Sequence, residues 1–171
     1  MKKYISSFVS GFGAGVLHVV PVAKSISCCL IVPLASFIAL VLDKKANPTA
    51  DKITMKKGAL IGLFTGLYAA LFGTLFDLFI TLVTKNNDIV SMMPELQKMI
   101  STLPISETLR TEVINLYENV RNDIMQYGFS LLYALSIIIN NTVVNSVVGI
   151  IGGLVGAQVI NQRLNNRNGY Q

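Results

Sequence analysis

Long stretches without a charged side chain constrain the fold of this chain more than any other feature. They cover residues 4–23, 25–42, 58–84 and 124–162, with Asp77 as the single exception. An apolar helix needs about 20 residues to cross the hydrocarbon core of a bilayer, so each stretch reaches spanning length, the second only just. The pattern predicts an all-α fold, a polytopic transmembrane helix bundle with four spans.

The composition agrees with lipid as the solvent for most of the chain. Mean hydropathy is +0.58, and 13% of the residues are charged, whereas a soluble domain carries about 25%. Pro21 is expected to end the first span and Pro33 to kink the second, because proline interrupts helical hydrogen bonding. A polar loop, residues 43–57, joins spans two and three. Within a single membrane domain, we expect spans at about residues 4–20, 26–42, 58–83 and 127–160.

Residues 85–123 differ in character and are predicted to form an extramembrane amphipathic helical insert between spans three and four. Apolar residues recur there at helical intervals. One short stripe contains Met92, Leu96, Met99, Ile100 and Leu103. A second stripe contains Ile105, Leu109, Val113, Leu116, Val120 and Ile124. Ser106 followed by Glu107 predicts a helix start, since a hydroxyl can cap the helix and an acid favours its first turn.

The course of the chain after this second stripe is open. No proline follows Pro104, so the amphipathic helix can run directly into span four as one long rod over residues 106–160. The alternative is a break near Tyr127 and Gly128.

The cations favour an orientation with both termini in the cytoplasm. Nine of them then lie on the cytoplasmic side and five on the other side, which is the bias that the positive-inside rule describes. The acids lean the other way, with two in the cytoplasmic loop and six in the insert. Topology thus explains the formal charge of +5. A nucleic-acid interface would need arginines clustered on one face, and we expect no nucleic-acid partner.

Glycines recur four residues apart in three of the predicted spans, an arrangement often called a glycine zipper. Small residues at this spacing let helix backbones approach closely. The pattern predicts a compact bundle, but packing within one chain and packing between chains are both open. The glycines concerned are Gly11, Gly15, Gly58, Gly62, Gly66, Gly149, Gly152, Gly153 and Gly156.

Four polar residues inside the spans form a possible intramembrane cluster: His18, Asp77, Asn141 and Asn145. An ionisable residue in a span is costly and is a functional candidate by default. Asp77 lies 19 residues after Gly58, and at about 1.5 Å per residue this places it near the outer boundary, at a depth similar to that of His18. The cluster serves either as a set of interhelical pairs, such as a His–Asp or Lys–Asp pair, or as the lining of a polar path.

No residue pattern predicts catalysis, a metal site or a cofactor. His18, Asp77, Cys28 and Cys29 are suitable ligand types, but their spacing is not that of a zinc site. Adjacent cysteines rarely bond to each other because the geometry is strained, and the role of this pair is open. The run from Gly11 to Gly15 lacks the strand and the spacing of a dinucleotide fingerprint. We therefore expect no enzyme.

The layout resembles a bacterial family of small four-helix inner-membrane proteins of unknown function. The shared features are a basic N-terminus, two closely spaced helices, a lysine-rich turn into a glycine-repeat helix, an amphipathic stretch and a glycine-rich last helix with a basic tail. The two glycine-rich stretches are Lys56-Lys57-Gly58-Ala59-Leu60-Ile61-Gly62-Leu63 and Gly149-Ile150-Ile151-Gly152-Gly153-Leu154-Val155-Gly156. The resemblance implies a fold and a location in the bacterial inner (plasma) membrane.

Two classes of function follow as hypotheses. The first is a non-catalytic interaction or accessory subunit, in contact with the lipid bilayer and with another membrane protein or further copies of itself as a homo-oligomer. The alternative is a small transporter or channel subunit that works as an oligomer, with His18, Asp77 and the asparagines along its path.

Overall fold

The computed structural model describes residues 4–20, 27–47 and 52–168, except for the side chains of residues 27, 28, 167 and 168. Within these ranges the chain is all-helical, with turns between the helices and no strand. The seven α-helices there are α1 (Ile5–His18), α2 (Val32–Ala46), α3 (Met55–Thr84), α4 (Asp88–Ser91), α5 (Met93–Thr102), α6 (Glu107–Tyr127) and α7 (Leu131–Asn168).

Two of these helices, α3 and α7, are long and apolar enough to cross a membrane, and each contains a window of mean hydropathy 1.9. Helix α1 is also apolar but has 14 residues, which at about 1.5 Å per residue extend over about 21 Å.

The second predicted span differs from expectation around its proline. A π-helical segment (Ser27–Ile31) leads directly into α2, and Pro33 lies in the first turn of that α-helix rather than in its interior. Proline has no N–H and its ring crowds the carbonyl four residues earlier, so the first helical turn is the position that tolerates it. The predicted start of this span at residue 26 lies outside the described residues.

The one-rod alternative for residues 106–160 is wrong. Helix α6 ends at Tyr127 because Gly128 adopts a left-handed backbone conformation with φ of 75°, which favours glycine. An added Cβ at this position would also lie 2.6 Å from the carbonyl oxygen of Leu82. Helix α7 then begins at Leu131.

The chain divides into two compact units, and the division falls inside α3 and α7. The first unit contains residues Met1–Phe76 and Ile138–Gln171, and the second contains Asp77–Ile137.

In the first unit, α3 and α7 touch through glycines. A Cβ added to Gly62 would overlap the carbonyl oxygen of Gly149 and lie 3.0 Å from the Cα of Gly153. A Cβ added to Gly153 would overlap the carbonyl oxygen of Gly58. The two backbones can therefore meet because these positions carry no side chain. Since Gly58 faces Gly153 and Gly62 faces Gly149, the two helices run antiparallel.

The other glycine pair of α7 faces α2. A Cβ on Gly152 would lie 2.5 Å from the Cα of Pro33, and one on Gly156 would lie 2.9 Å from a methyl group of Leu40. These contacts make α2 parallel to α7. The two pairs of glycines thus give α7 two close neighbours, one on each side of its buried face.

Helix α1 packs on α3 in the same manner and in parallel. A Cβ on Gly11 would lie 2.6 Å from the Cβ of Tyr68, and one on Gly15 would lie 2.6 Å from the Cβ of Phe72. The ring of Phe8 stands edge-on to the ring of Tyr68 with centroids 5.3 Å apart. The direction of the chain therefore alternates along α1, α2, α3 and α7.

Burial in the first unit differs from the usual pattern of a soluble protein, in which large apolar residues are mostly inside and polar residues mostly outside. Large apolar side chains are exposed on the outer faces of all four helices, among them Phe8, Leu34, Leu75, Val147 and Ile151. Besides alanines and a few branched aliphatic residues, the buried interior holds Ser7, Ser36, Thr65, Thr74 and Asn145.

The second unit contains α4, α5 and α6, and two of them, α4 and α6, begin at side-chain capping residues. The Asn87 side chain accepts a hydrogen bond from the backbone N–H of Val90 at 3.0 Å. The Ser106 hydroxyl accepts one from the N–H of Leu109 at 3.3 Å, with Glu107 in the first turn. The helix start predicted at Ser106 is confirmed. The core of this unit contains Val120, Ile124 and Tyr133, with Leu78, Ile89, Val90 and Ile137 around them.

The predicted apolar stripes of the second unit are buried only in part. On α6, Val120 and Ile124 are buried, but Leu109 is 47% exposed and Leu116 is 49% exposed. In the shorter stripe Ile100 alone is buried. Met93, which lay outside that predicted stripe, is buried instead. The spacing identified the helices, but it could not separate apolar residues that pack within the unit from those that stay exposed.

We predict that Gly62→Ala destabilises the fold by about 1–3 kcal/mol, because the added methyl group would force α3 and α7 apart. The free energy of unfolding in detergent micelles, measured by denaturant titration, checks this. Gly13→Ala is the matched control, since a Cβ there would meet open space, and we expect a change of less than about 1 kcal/mol. Equal stability of both variants and the wild type would contradict close packing at Gly62.

Candidate functional site

A hydrogen bond between side chains links α3 to α7 beyond the glycine contact. The Asn141 amide donates to the hydroxyl of Thr74 at 2.9 Å, and both residues are buried. One turn further along α7, Asn145 is 2% exposed, and a Cβ added to Gly66 would overlap its carbonyl oxygen. A hydrogen bond within a folded protein contributes about 1 kcal/mol to its stability. The bond from Asn141 to Thr74 therefore favours one register of the two helices.

Asp77 has a partner that the sequence did not indicate. In the second unit, the hydroxyl of Tyr133 donates to an Asp77 carboxylate oxygen at 2.7 Å. Tyr133 is 6% exposed. This pair joins α3 to α7 within that unit. The sequence gives little indication of this pairing, since a tyrosine near the start of the last span can have many other roles.

His18 lies at the end of α1, against α3. A Cβ added to Gly73 would lie 3.4 Å from three atoms of the His18 side chain, so the absence of a side chain at Gly73 makes room for the ring. Gly73 directly precedes Thr74, which places His18 at the level of the bond between Thr74 and Asn141. The intramembrane cluster of His18, Asp77, Asn141 and Asn145 stays a prediction.

The opposite end of the first unit carries an ion pair. The ammonium group of Lys57 lies 2.5 Å from an Asp43 carboxylate oxygen, and the Asp43 side chain is 4% exposed. The Asn47 amide donates to the same carboxylate at 3.3 Å. The sequence assigned these residues to a polar loop, but α2 continues to Ala46 and carries Asp43 into a buried position.

Two hydrogen bonds connect α7 to the segment that precedes α3. The Asn161 side chain accepts a hydrogen bond from the N–H of Ile53 at 2.9 Å and donates one to the carbonyl oxygen of Ile53 at 2.8 Å. Ile53 is itself buried against Ile61, Ala157 and Ile160. The segment that enters α3 is therefore fastened to α7 by both backbone groups of one residue.

The hydrogen bonds and the ion pair described above connect helices to one another or to the segments beside them. The polar groups near Thr74 and Asp77 are hydrogen-bonded between helices, and those near Asp43 hold the entry to α3. In the part of the chain that the structure describes, no three His, Cys, Asp or Glu side chains form a group that could hold a metal ion. Cys29 is exposed, and the side chain of Cys28 lies outside the described residues.

Comparisons with family models, with curated proteins and with solved structures found no match for this chain. The resemblance to small four-helix inner-membrane proteins therefore stays a prediction.

We predict that Tyr133→Phe destabilises the second unit by about 1–3 kcal/mol, because it removes the hydroxyl donor of a partly buried carboxylate. The free energy of unfolding in micelles measures the effect. Tyr127→Phe is the matched control, because Tyr127 is 63% exposed, and such surface changes are usually within about 0.5 kcal/mol. If Tyr133→Phe is as stable as the control, the bond to Asp77 does not hold α3 and α7 together.

Proposed function

We propose that this chain is a multi-pass membrane protein with four spans that acts as a non-catalytic accessory subunit of another membrane protein. Its first unit lies in the bilayer, and its second unit presents a surface to the partner. Both termini are on the cytoplasmic side of a bacterial inner (plasma) membrane.

The exposed apolar faces and the buried polar residues of the first unit support the membrane location. In water, the exposed apolar faces of α1, α2, α3 and α7 would form a surface far more apolar than monomeric soluble proteins present. In lipid, the same faces need no cover, and the polar residues gain by lying between helices.

The alternating chain direction supports four spans rather than two. Helices α1 and α2 lie alongside α3 and α7 and have exposed apolar faces of the same kind, including Phe12, Val16, Leu34 and Ile38. Helix α1, with 14 residues, and helix α2, with 15, are each shorter than the hydrocarbon thickness of about 30 Å. A short hydrophobic segment can be accommodated by local thinning of the bilayer. The excess of cations at the residue 43–57 end supports placing that end in the cytoplasm.

The exposed part of the amphipathic stripe on α6 is the main support for an accessory function. Leu109 and Leu116 lie seven residues apart on one face of α6 and are each about half exposed. A helix that rests on a lipid surface is typically rich in lysine and arginine on its polar face. Residues 85–123 instead contain six acids and four cations. This charge balance supports burial of the stripe against a protein.

The placement of Asn141 supports an accessory function over transport. A residue that lines a polar path needs groups open to water or to the transported solute. Asn141 is 9% exposed, and its amide is already bonded to Thr74.

We predict that a photo-crosslinking amino acid at position 116, in the full chain in its native membrane, joins it to a different membrane protein at a fixed stoichiometry. Thr111 is the matched control position, because it is exposed and lies about 140° around the helix from Leu116. The adduct should be absent with the probe at position 111. With the probe at Leu109 instead, Leu116→Glu should abolish capture of the same protein.

Three outcomes would contradict the accessory function. They are adducts with lipid alone, adducts solely with a second copy of the chain, and equal capture from positions 111 and 116.

A further inference from the structure

A groove opens where the N-terminal ends of α1 and α3 meet. It has a volume of about 250 Å³ and is lined by Tyr4, Thr54, Lys56, Lys57, Leu60 and Ile61. Because α1 and α3 are parallel, both of their N-termini lie at this end of the first unit. The hydroxyl of Ser7 donates to the carbonyl oxygen of Ile61 at 3.2 Å and ties the two helices together beside the groove.

The electrostatics of this groove favour an anion. A helix N-terminus carries a partial positive charge, which acids in the first turn normally offset. Neither α1 nor α3 has an acid in its first turn, and α3 has Lys56 and Lys57 there instead. Thr54 caps α3 by accepting a hydrogen bond from the N–H of Lys57 at 3.2 Å, so the positive end of the helix is ordered at the groove.

The charges of the groove lining are unbalanced as well. Among the described residues the lining contains two cations, Lys56 and Lys57, and no acid. Lys57 is already paired with the buried Asp43. Lys56 is exposed and lines the groove. An anionic group placed there would lie near Lys56 and two helix N-termini.

The apolar residues of the groove lining favour an anion that also carries a hydrocarbon chain. Leu60 and Ile61 lie one turn further along α3 than the lysines, and Leu60 is 39% exposed. Ile5 at the start of α1 is 54% exposed. A soluble anion would leave Leu60 and Ile5 uncovered, whereas an amphiphile would place its charge at the lysines and its hydrocarbon chain along these two side chains.

We propose that this groove binds one anionic phospholipid, with the phosphate beside Lys56 and one acyl chain along Leu60. The proposal rests on the membrane location given above. Tyr4 lines the same groove, and its phenol hydroxyl supplies a hydrogen-bond donor at the depth of the headgroup, where tyrosine is enriched in membrane proteins. Basic grooves between helices on the cytoplasmic side are a known form of phospholipid recognition.

The test uses the full chain in mild detergent, titrated with phosphatidylglycerol or with phosphatidylcholine, and native mass spectrometry counts the lipids retained. We expect one phosphatidylglycerol to be retained in preference to phosphatidylcholine. Lys56→Gln should weaken its retention about fivefold, the effect expected for one lysine near an anionic lipid. Lys52→Gln is the matched control, because it removes the same charge from an exposed position outside the groove lining, and it should leave retention unchanged.

Equal weakening by Lys52→Gln and Lys56→Gln would overturn the site, because it would indicate diffuse attraction. Equal retention of the two lipids, or displacement of phosphatidylglycerol by inorganic phosphate alone, would overturn it too. Extraction of the chain from native membranes by alkaline carbonate contradicts the membrane location itself. A chain that resists carbonate but shows no lipid preference contradicts only the phospholipid site.

Discussion

The contact between the backbones of α3 and α7 determines where the other helices of the first unit can lie. At Gly62, Gly149 and Gly153 a single added carbon would overlap or crowd the facing helix. This spacing leaves the opposite pair, Gly152 and Gly156, to hold α2. Atoms at such short range attract each other by dispersion, and many such contacts together stabilise the pairing of the two helices. The glycines therefore set which helices are neighbours and in which direction each one runs.

The hydrogen bonds between α7 and the rest of the first unit depend on this short distance between helices. Asn141 can reach Thr74 because the glycines bring α7 against α3. Nearer the C-terminal end of α7, the Asn161 side chain bonds to both the N–H and the carbonyl oxygen of Ile53. Each bond is modest in energy, but a buried polar group left without a hydrogen-bond partner costs about 1–3 kcal/mol. The polar residues thus specify one register among those that the glycine faces allow.

Much of the helical layout could be predicted from sequence, because long uncharged stretches and glycine spacing are local patterns. Ser106 as a helix start was predictable for the same reason. The partners of Asp77 and Asp43 were not, since Tyr133 and Lys57 come close only after the helices pack. The sequence could not decide whether the helix breaks at Gly128, because the helical spacing of apolar residues continues across this position and one glycine does not by itself end a helix. Whether the glycine faces pack within one chain was also undecidable from spacing, and the structure places both faces in the same chain.

The central claim is that α1 and α2 cross the membrane beside α3 and α7, and labelling at Val20 tests it most directly. Single cysteines at Val20, Lys52 and Ser101 are introduced after Cys28 and Cys29 are replaced by serine. A membrane-impermeant maleimide is then applied to intact cells and to inverted membrane vesicles. With four spans, Val20 and Ser101 react from the outside and Lys52 reacts only in inverted vesicles. Reaction of Val20 from the same side as Lys52 would leave two spans and contradict the account.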